Sequence, residues 1–344
     1  MGAYYIASSD FGGFVDSMIG ATRVVAPVAK RAKFVFGELE RSEDLRLDYD
    51  VTMLPPKKVF FPPVQDLVRF DGSGVSGCID PVPTVLFGVH FYDVKGIDMT
   101  DYLFRERNED WNYLGQREAT TIVASSIQSI APRSFWGSIG TEVQAKGHDA
   151  FITKLNGGYV YESFSQKGDA LIAHGAFRDA TADEIAAAEQ ANAEVMARCE
   201  ERLPYASEDI ARKVRDSFGN EALWDELARN CFSCGSCNTV CPTCYCFDVK
   251  DAWNLDQSSG SRTRYWDACL TREFAAVTQA GGSTENFREH HSARFRHRFM
   301  RKAAYLNEKL GGPACTGCGR CARACTSNLA DPVRVITTIM EVTA

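Results

Sequence analysis

The chain has 344 residues, 45% of them apolar, and its 45 acidic side chains outnumber 38 Lys and Arg for a formal net charge of -7. That is enough apolar material for a sizeable core, and the length suits two domains rather than one. The acidic balance argues against a nucleic-acid binder, whose affinity comes mostly from neutralising phosphates with Lys and Arg.

The N-terminus, Met1-Gly2-Ala3-Tyr4-Tyr5-Ile6, has no basic region followed by an apolar stretch, and Ile6 stands where a myristoylation motif needs Ser or Thr. Arg23 to Ala29, Lys33 to Phe36 and Thr84 to Phe91 are short apolar runs between turn signals and read as strands. Val94 to Phe104 reads as a helix, and Thr120 to Ala124 as another strand. The Asn156-Gly157-Gly158 turn joins Phe151 to Leu155 with Tyr159 to Tyr161 as a hairpin. The most apolar short stretch, Val82 to Val94, is interrupted by His90 and Asp93 and falls short of a membrane span, so the expected location is cytoplasmic.

At Thr181 the character changes. Thr181 and Glu184 have the spacing of a capping box and open an Ala/Glu-rich helix predicted to run to Arg202, before Pro204. Ser207 to Phe218 and Ala222 to Asn230 read as further helices. The predicted fold class is α+β: a mixed α/β domain over residues 1–180, then a mainly helical domain over residues 181–344.

Thirteen cysteines in a chain without an export signal point to metal or redox chemistry, because reducing compartments do not sustain structural disulfides. Eleven lie after residue 230, leaving only Cys78 and Cys199 earlier. One run is Cys231, Cys234, Cys237 and Cys241, followed by Pro242. The other is Cys315, Cys318, Cys321 and Cys325, with Thr326 in place of the proline. Both have the spacing of bacterial ferredoxins, in which three thiolates wrap one cubane and the fourth comes from the other run. This assigns Cys231, Cys234, Cys237 and Cys325 to one [4Fe-4S] cluster, and Cys315, Cys318, Cys321 and Cys241 to a second. A structural zinc site favours pairs of Cys-x-x-Cys or Cys/His spacers and would leave cysteines over. Gly235 and Ser236, and Gly317 and Gly319, let backbone amides approach the sulfurs, although any tight turn uses such residues.

Cys244, Cys246 and Cys269 stand near the runs. A third cluster needs a fourth thiolate, which Cys199 could supply; the simpler expectation is buried thiols packed as small apolar groups. Between the runs, Arg288, His290, His291, Arg294, Arg296, His297, Arg298, Arg301 and Lys302 form the densest positive stretch, with Phe287, Phe295, Phe299 and Tyr305 at roughly helical spacing. That is either a solvated helix face or a set of cations that offset cluster charge and orient a docking partner; base stacking on RNA fits the aromatic spacing less well. No Gly-x-Gly-x-x-Gly follows a convincing strand, no Walker-type loop occurs, and no nucleophile and base pair stands out, so no catalytic residue is assigned.

The stretch from Cys234 through Pro242-Thr243-Cys244-Tyr245-Cys246 resembles the beta subunit of cytoplasmic [NiFe] hydrogenases, or sulfhydrogenases, and is similar to the corresponding iron-sulfur subunit of anaerobic sulfite reductases. The likeness continues through Asn254-Leu255-Asp256, Trp266-Asp267-Ala268-Cys269, Asn286-Phe287-Arg288, Asn307 to Gly311 and Gly317 to Cys321, and earlier through Pro55 to Lys58 and Phe87 to His90. The resemblance implies a 4Fe-4S dicluster, ferredoxin-like domain. It also implies a subunit that carries electrons between a flavin subunit handling NAD(P)H and the small and large subunits of a hydrogenase. The equivalent subunit of a sulfite reductase, or of a flavin oxidoreductase feeding heterodisulfide reductase, is the alternative. From a different class, a non-redox metal-binding interaction module remains open. Relatives tend to carry N-terminal cysteines where this chain has Tyr92, Ser126, Ser134 and Trp136. A further cluster held there in the family would be missing here, leaving the N-terminal domain as a docking scaffold.

Overall fold

The structure, a computed structural model, describes residues 2–139, 146–199 and 201–342. By its contacts the chain divides into two units. One comprises Met1–Phe60, Ile79–Ala131 and Thr141–Glu200; the other comprises Phe61–Cys78, Pro132–Gly140 and Glu201–Ala344. Helices and sheets occur in both, an α+β architecture.

The first unit is built on an eight-stranded sheet among the described residues, in the order Arg178–Asp179, Ala3–Ala7, Gly158–Ser163, Ala150–Leu155, Thr120–Ser125, Thr84–His90, Arg23–Lys30, Lys33–Glu38. The four strands Ala150–Leu155, Thr120–Ser125, Thr84–His90 and Arg23–Lys30 run parallel, and the flanking pairs are antiparallel. Every residue of Thr84–His90 is buried, as expected of a parallel strand covered on both faces. The helix Ser8–Ala21 sets Phe14, Val15 and Met18 on the core formed with Phe87, Val123, Ile152 and Tyr161. The helix opened by Thr181 has its full capping box but spans Ala182–Ala197, shorter than its composition predicts.

In the second unit, a four-stranded antiparallel sheet runs in the order Phe247–Trp253, Ser259–Trp266, Val64–Asp71, Gly74–Gly77, so a hairpin from the first quarter of the chain pairs with one some 190 residues later. The helices Ser207–Asp216, Glu221–Ala228, His291–Met300 and Pro332–Glu341 pack Val214, Trp224, Phe295, Phe299 and Val335 into one core that also includes Cys237 and Cys321. His291–Met300 continues into a π-helical turn, Arg301–Tyr305. Such turns are rare and frequently sit at functional sites.

In Thr84–His90 the register shifts at Gly88, which has φ +75°. A Cβ there would stand 2.7 Å from Leu47 Cδ2. The Gly88 carbonyl accepts the Tyr49 hydroxyl at 2.9 Å, and that oxygen in turn accepts the His90 N–H at 3.2 Å. The bulge is thus locked from the side, and only glycine suits both its backbone and its space. Gly88→Ala is expected to destabilise the protein by about 1–3 kcal/mol in urea unfolding. An unchanged midpoint would show that the bulge relaxes freely.

Candidate metal centres

The two cysteine runs share a local shape. In each, the glycine after the second cysteine is left-handed, Gly235 at φ +71° and Gly319 at φ +74°, and caps a short helix, Ser236–Thr239 in one and Arg320–Ala324 in the other. The bend turns the third cysteine back toward the first two. Nothing bulkier fits: a Cβ on Gly235 would lie 2.6 Å from the Ala268 Cβ, and one on Gly319 would lie 2.7 Å from the Arg133 backbone. The Arg133–Trp136 segment therefore straps the second run, and Phe135 N–H donates to the Gly317 carbonyl at 2.8 Å.

The thiols sort by their mutual influence. Burial pushes the Cys231 thiol up, and the charge of Cys325, then of Cys234, pushes the same way. Cys237 is pushed up to about 11, by burial first, with Cys325 and Cys231 adding to it against the pull of Arg298. Across the unit, burial raises Cys315, with Cys241 the next contributor. Cys321 is also raised by burial, and Cys315, Cys318 and Cys241 all act on it. The structure thus brings Cys325 to Cys231 and Cys237, and Cys241 to Cys315 and Cys321. Cys241, Cys315, Cys318 and Cys321 line one pocket of about 50 Å³.

Backbone amides already point at these sulfurs. Leu329 and Ala330 N–H donate to Cys325 Sγ at 3.3 and 3.4 Å, and Gly317 N–H to Cys315 Sγ at 3.5 Å. Cationic side chains reach the loops around the sulfurs. Arg294, Arg298 and Lys302 recur at four-residue spacing, the spacing that keeps side chains on one helix face. Arg294 donates to Ser233 Oγ at 3.2 Å in the first run. Arg298, only 2% exposed, donates to the Cys237 carbonyl at 3.3 Å and lines the pocket of the second quartet. Lys302 Nζ donates to Thr243 Oγ1 at 2.6 Å, and that oxygen lies 3.3 Å from Cys241 Sγ. Burial works against the charge of Arg298, but Cys237, Cys321, Cys244 and Cys241 outweigh it and the guanidinium is held charged.

Two polar atoms test whether a cluster fits here. Arg298 Nε and Thr316 Oγ1 are buried without a hydrogen-bond partner among the described residues, and both residues line the pocket of the second quartet. Orphaned donors beside four thiols match the sulfide acceptors of an iron-sulfur cluster. Among the described residues no three His, Cys, Asp or Glu side chains converge closely enough to hold a single ion. A cubane instead takes its thiolates on separate irons.

The basic stretch is therefore split. Arg294 and Arg298 are buried, whereas Arg296 reaches outward to the Phe218 carbonyl at 2.8 Å and stacks over that ring. Charge composition alone gives no sign of which cations turn inward; the four-residue spacing is the signal that could have. Of the positions where relatives tend to carry cysteines, Tyr92 and Ser126 fall in the first unit, and Ser134 and Trp136, both buried, in the second. Cys199 is buried in the first unit. No helix among the described residues is long and apolar enough to cross a membrane.

The family described as a 4Fe-4S dicluster domain matches residues 230–329, a span that holds both cysteine runs. Sulfhydrogenase 2 subunit beta of Pyrococcus furiosus is 30% identical over 341 residues, covering 97% of this chain and 97% of that protein. No solved structure matches the chain significantly. With paired thiol quartets inside a matched dicluster domain and likeness along nearly its whole length, the chain belongs to the sulfhydrogenase beta-subunit family of iron-sulfur electron-transfer proteins.

Proposed function

We propose that this chain relays single electrons through two [4Fe-4S] clusters within a soluble, cytoplasmic hydrogenase-type complex, between a flavin subunit handling NAD(P)H and the small and large subunits of a [NiFe] enzyme. The observation that carries the reading is that Cys325 acts on the Cys231 group and Cys241 on the Cys315 group, which supports an exchange of fourth cysteines between the runs. Such exchange belongs to two-cluster ferredoxins. The relative's name, a sulfhydrogenase subunit, supports the hydrogenase-type setting. In this reading the ferredoxin-like dicluster domain lies within residues 181–344, and the first unit serves chiefly to dock partners.

When bound, such clusters accept and pass on one electron at a time. The protein's part is to hold them close, dry and electrostatically balanced. Cys241, Cys318 and Cys321 are buried, which keeps water from the second quartet. Cys234 is exposed, beside an exposed Phe232, so the first quartet is the side on which a partner exchanges electrons. Arg298 stands where an added electron on either quartet is met by positive charge.

At least about eight irons and eight sulfides per chain are expected from two cubanes; zinc in their place would sink the redox reading. Cys325→Ala should perturb the paramagnetic resonance of the cluster held by Cys231, Cys234 and Cys237. If only the signal of its own run changes, the exchange is wrong. Replacing the Arg298 charge disfavours the more negative, reduced state, so Arg298→Gln should lower the cluster potentials by on the order of 50–100 mV, and Arg298→Lys should recover most of the shift. Potentials indifferent to both substitutions would remove Arg298 from this role.

A further inference from the structure

A second pocket in the same unit lies beyond both quartets. It measures about 20 Å³ and is lined by Cys244, Cys246 and Cys269 together with Asn238, His297 and Arg301. Arg298 and Lys302 line it as well.

The three thiols are set there by structure rather than by general apolar packing. Cys244 follows the tight turn that leaves the second quartet, its N–H donating to the Cys241 carbonyl at 3.4 Å. Cys246 and Cys269 flank the two paired strands Phe247–Trp253 and Ser259–Trp266, whose end is closed by Asp267 N–H donating to the Cys246 carbonyl at 3.0 Å. Asn238, buried at 2% exposure, spreads its amide across two of the thiols, donating to Cys269 Sγ at 3.1 Å and to Cys244 Sγ at 3.6 Å.

Thiols that fill space as small apolar groups do not require such surroundings. A neutral thiol is a weak acceptor, and a guanidinium or ammonium beside it gains little for the loss of its water. Three cations and a bidentate amide donor are what a group of thiolates requires. In a reduced interior, several thiolates are held together by a metal.

We propose that Cys244, Cys246 and Cys269 bind a third iron-sulfur cluster. This rests on the reading of the two quartets as clusters and adds a centre to it. Three thiolates supply three corners, and His297, the imidazole lining the same pocket, is the available ligand for a fourth iron.

Iron and acid-labile sulfide in the full chain, purified without oxygen, decide the matter. About twelve of each per chain are expected, falling to about eight in Cys246→Ser and in Cys269→Ser, with the resonance signals of the two quartets retained as evidence of folding. Wild-type protein with about eight irons overturns this proposal and leaves the two-cluster reading standing. Iron well below eight overturns both. Eight irons with one equivalent of zinc, lost on substitution of Cys269, also overturns it, since the pocket would then hold a structural ion. The wild-type count decides even if a variant fails to fold.

Discussion

Keeping thiolates ionised in a dry interior is the constraint on which the second unit depends. Burial pushes the thiols of Cys237, Cys315 and Cys321 up, yet iron is bound only by thiolate. The answer lies in one helix and the π turn that extends it. Arg294, Arg298 and Lys302 fall on a single face, each next to a different part of the cysteine loops. Phe295 and Phe299, packed against each other at 4.9 Å between ring centroids, anchor the same helix in the core. The cations are thus held by packing, not by the groups they neutralise. A side chain already in place need not reorganise when charge arrives, which favours rapid electron exchange.

The same economy governs the loops. Each run bends at a left-handed glycine that caps its short helix, and in the second run Gly317 N–H donates to Cys315 Sγ. At the second run the bend is covered by Arg133–Trp136, whose backbone stands where any Cβ on Gly317 or Gly319 would go. The ion pair from Arg133 to Asp331, at 3.5 Å and with Arg133 57% exposed, adds little beside that close packing. Shape rather than charge holds the strap.

Much of this was legible in the chain. The cysteine spacing names the thiols, because a cubane imposes a fixed distance between corners, and the central strands of the first unit announce themselves as apolar runs. Other parts were silent for physical reasons. Phe247–Trp253 and Gly74–Gly77 are exposed along nearly their whole length, so they lack the apolar alternation by which a half-buried strand is recognised. Phe61–Cys78 and Arg133–Trp136 find their partners more than a hundred residues away, and local pattern carries no record of so distant a pairing. The basic stretch was visible as charge but not as direction. Whether a cation faces water or a thiol depends on what the rest of the chain places opposite it.

The thiol groups are not arranged as equivalents. Cys234 meets solvent, whereas Cys241, Cys318 and Cys321 do not. Cys269 acts on Cys237, and Cys244 on Cys241, so the pocket of the three additional cysteines adjoins both quartets through their buried members. Arg298 stands at the junction, lining both pockets and bonding the loop of the first run. One fixed cation shared among several anionic centres couples them: an electron on one weakens the attraction available to the next. In the proposed relay of single-electron centres, that coupling favours passing an electron onward over storing two.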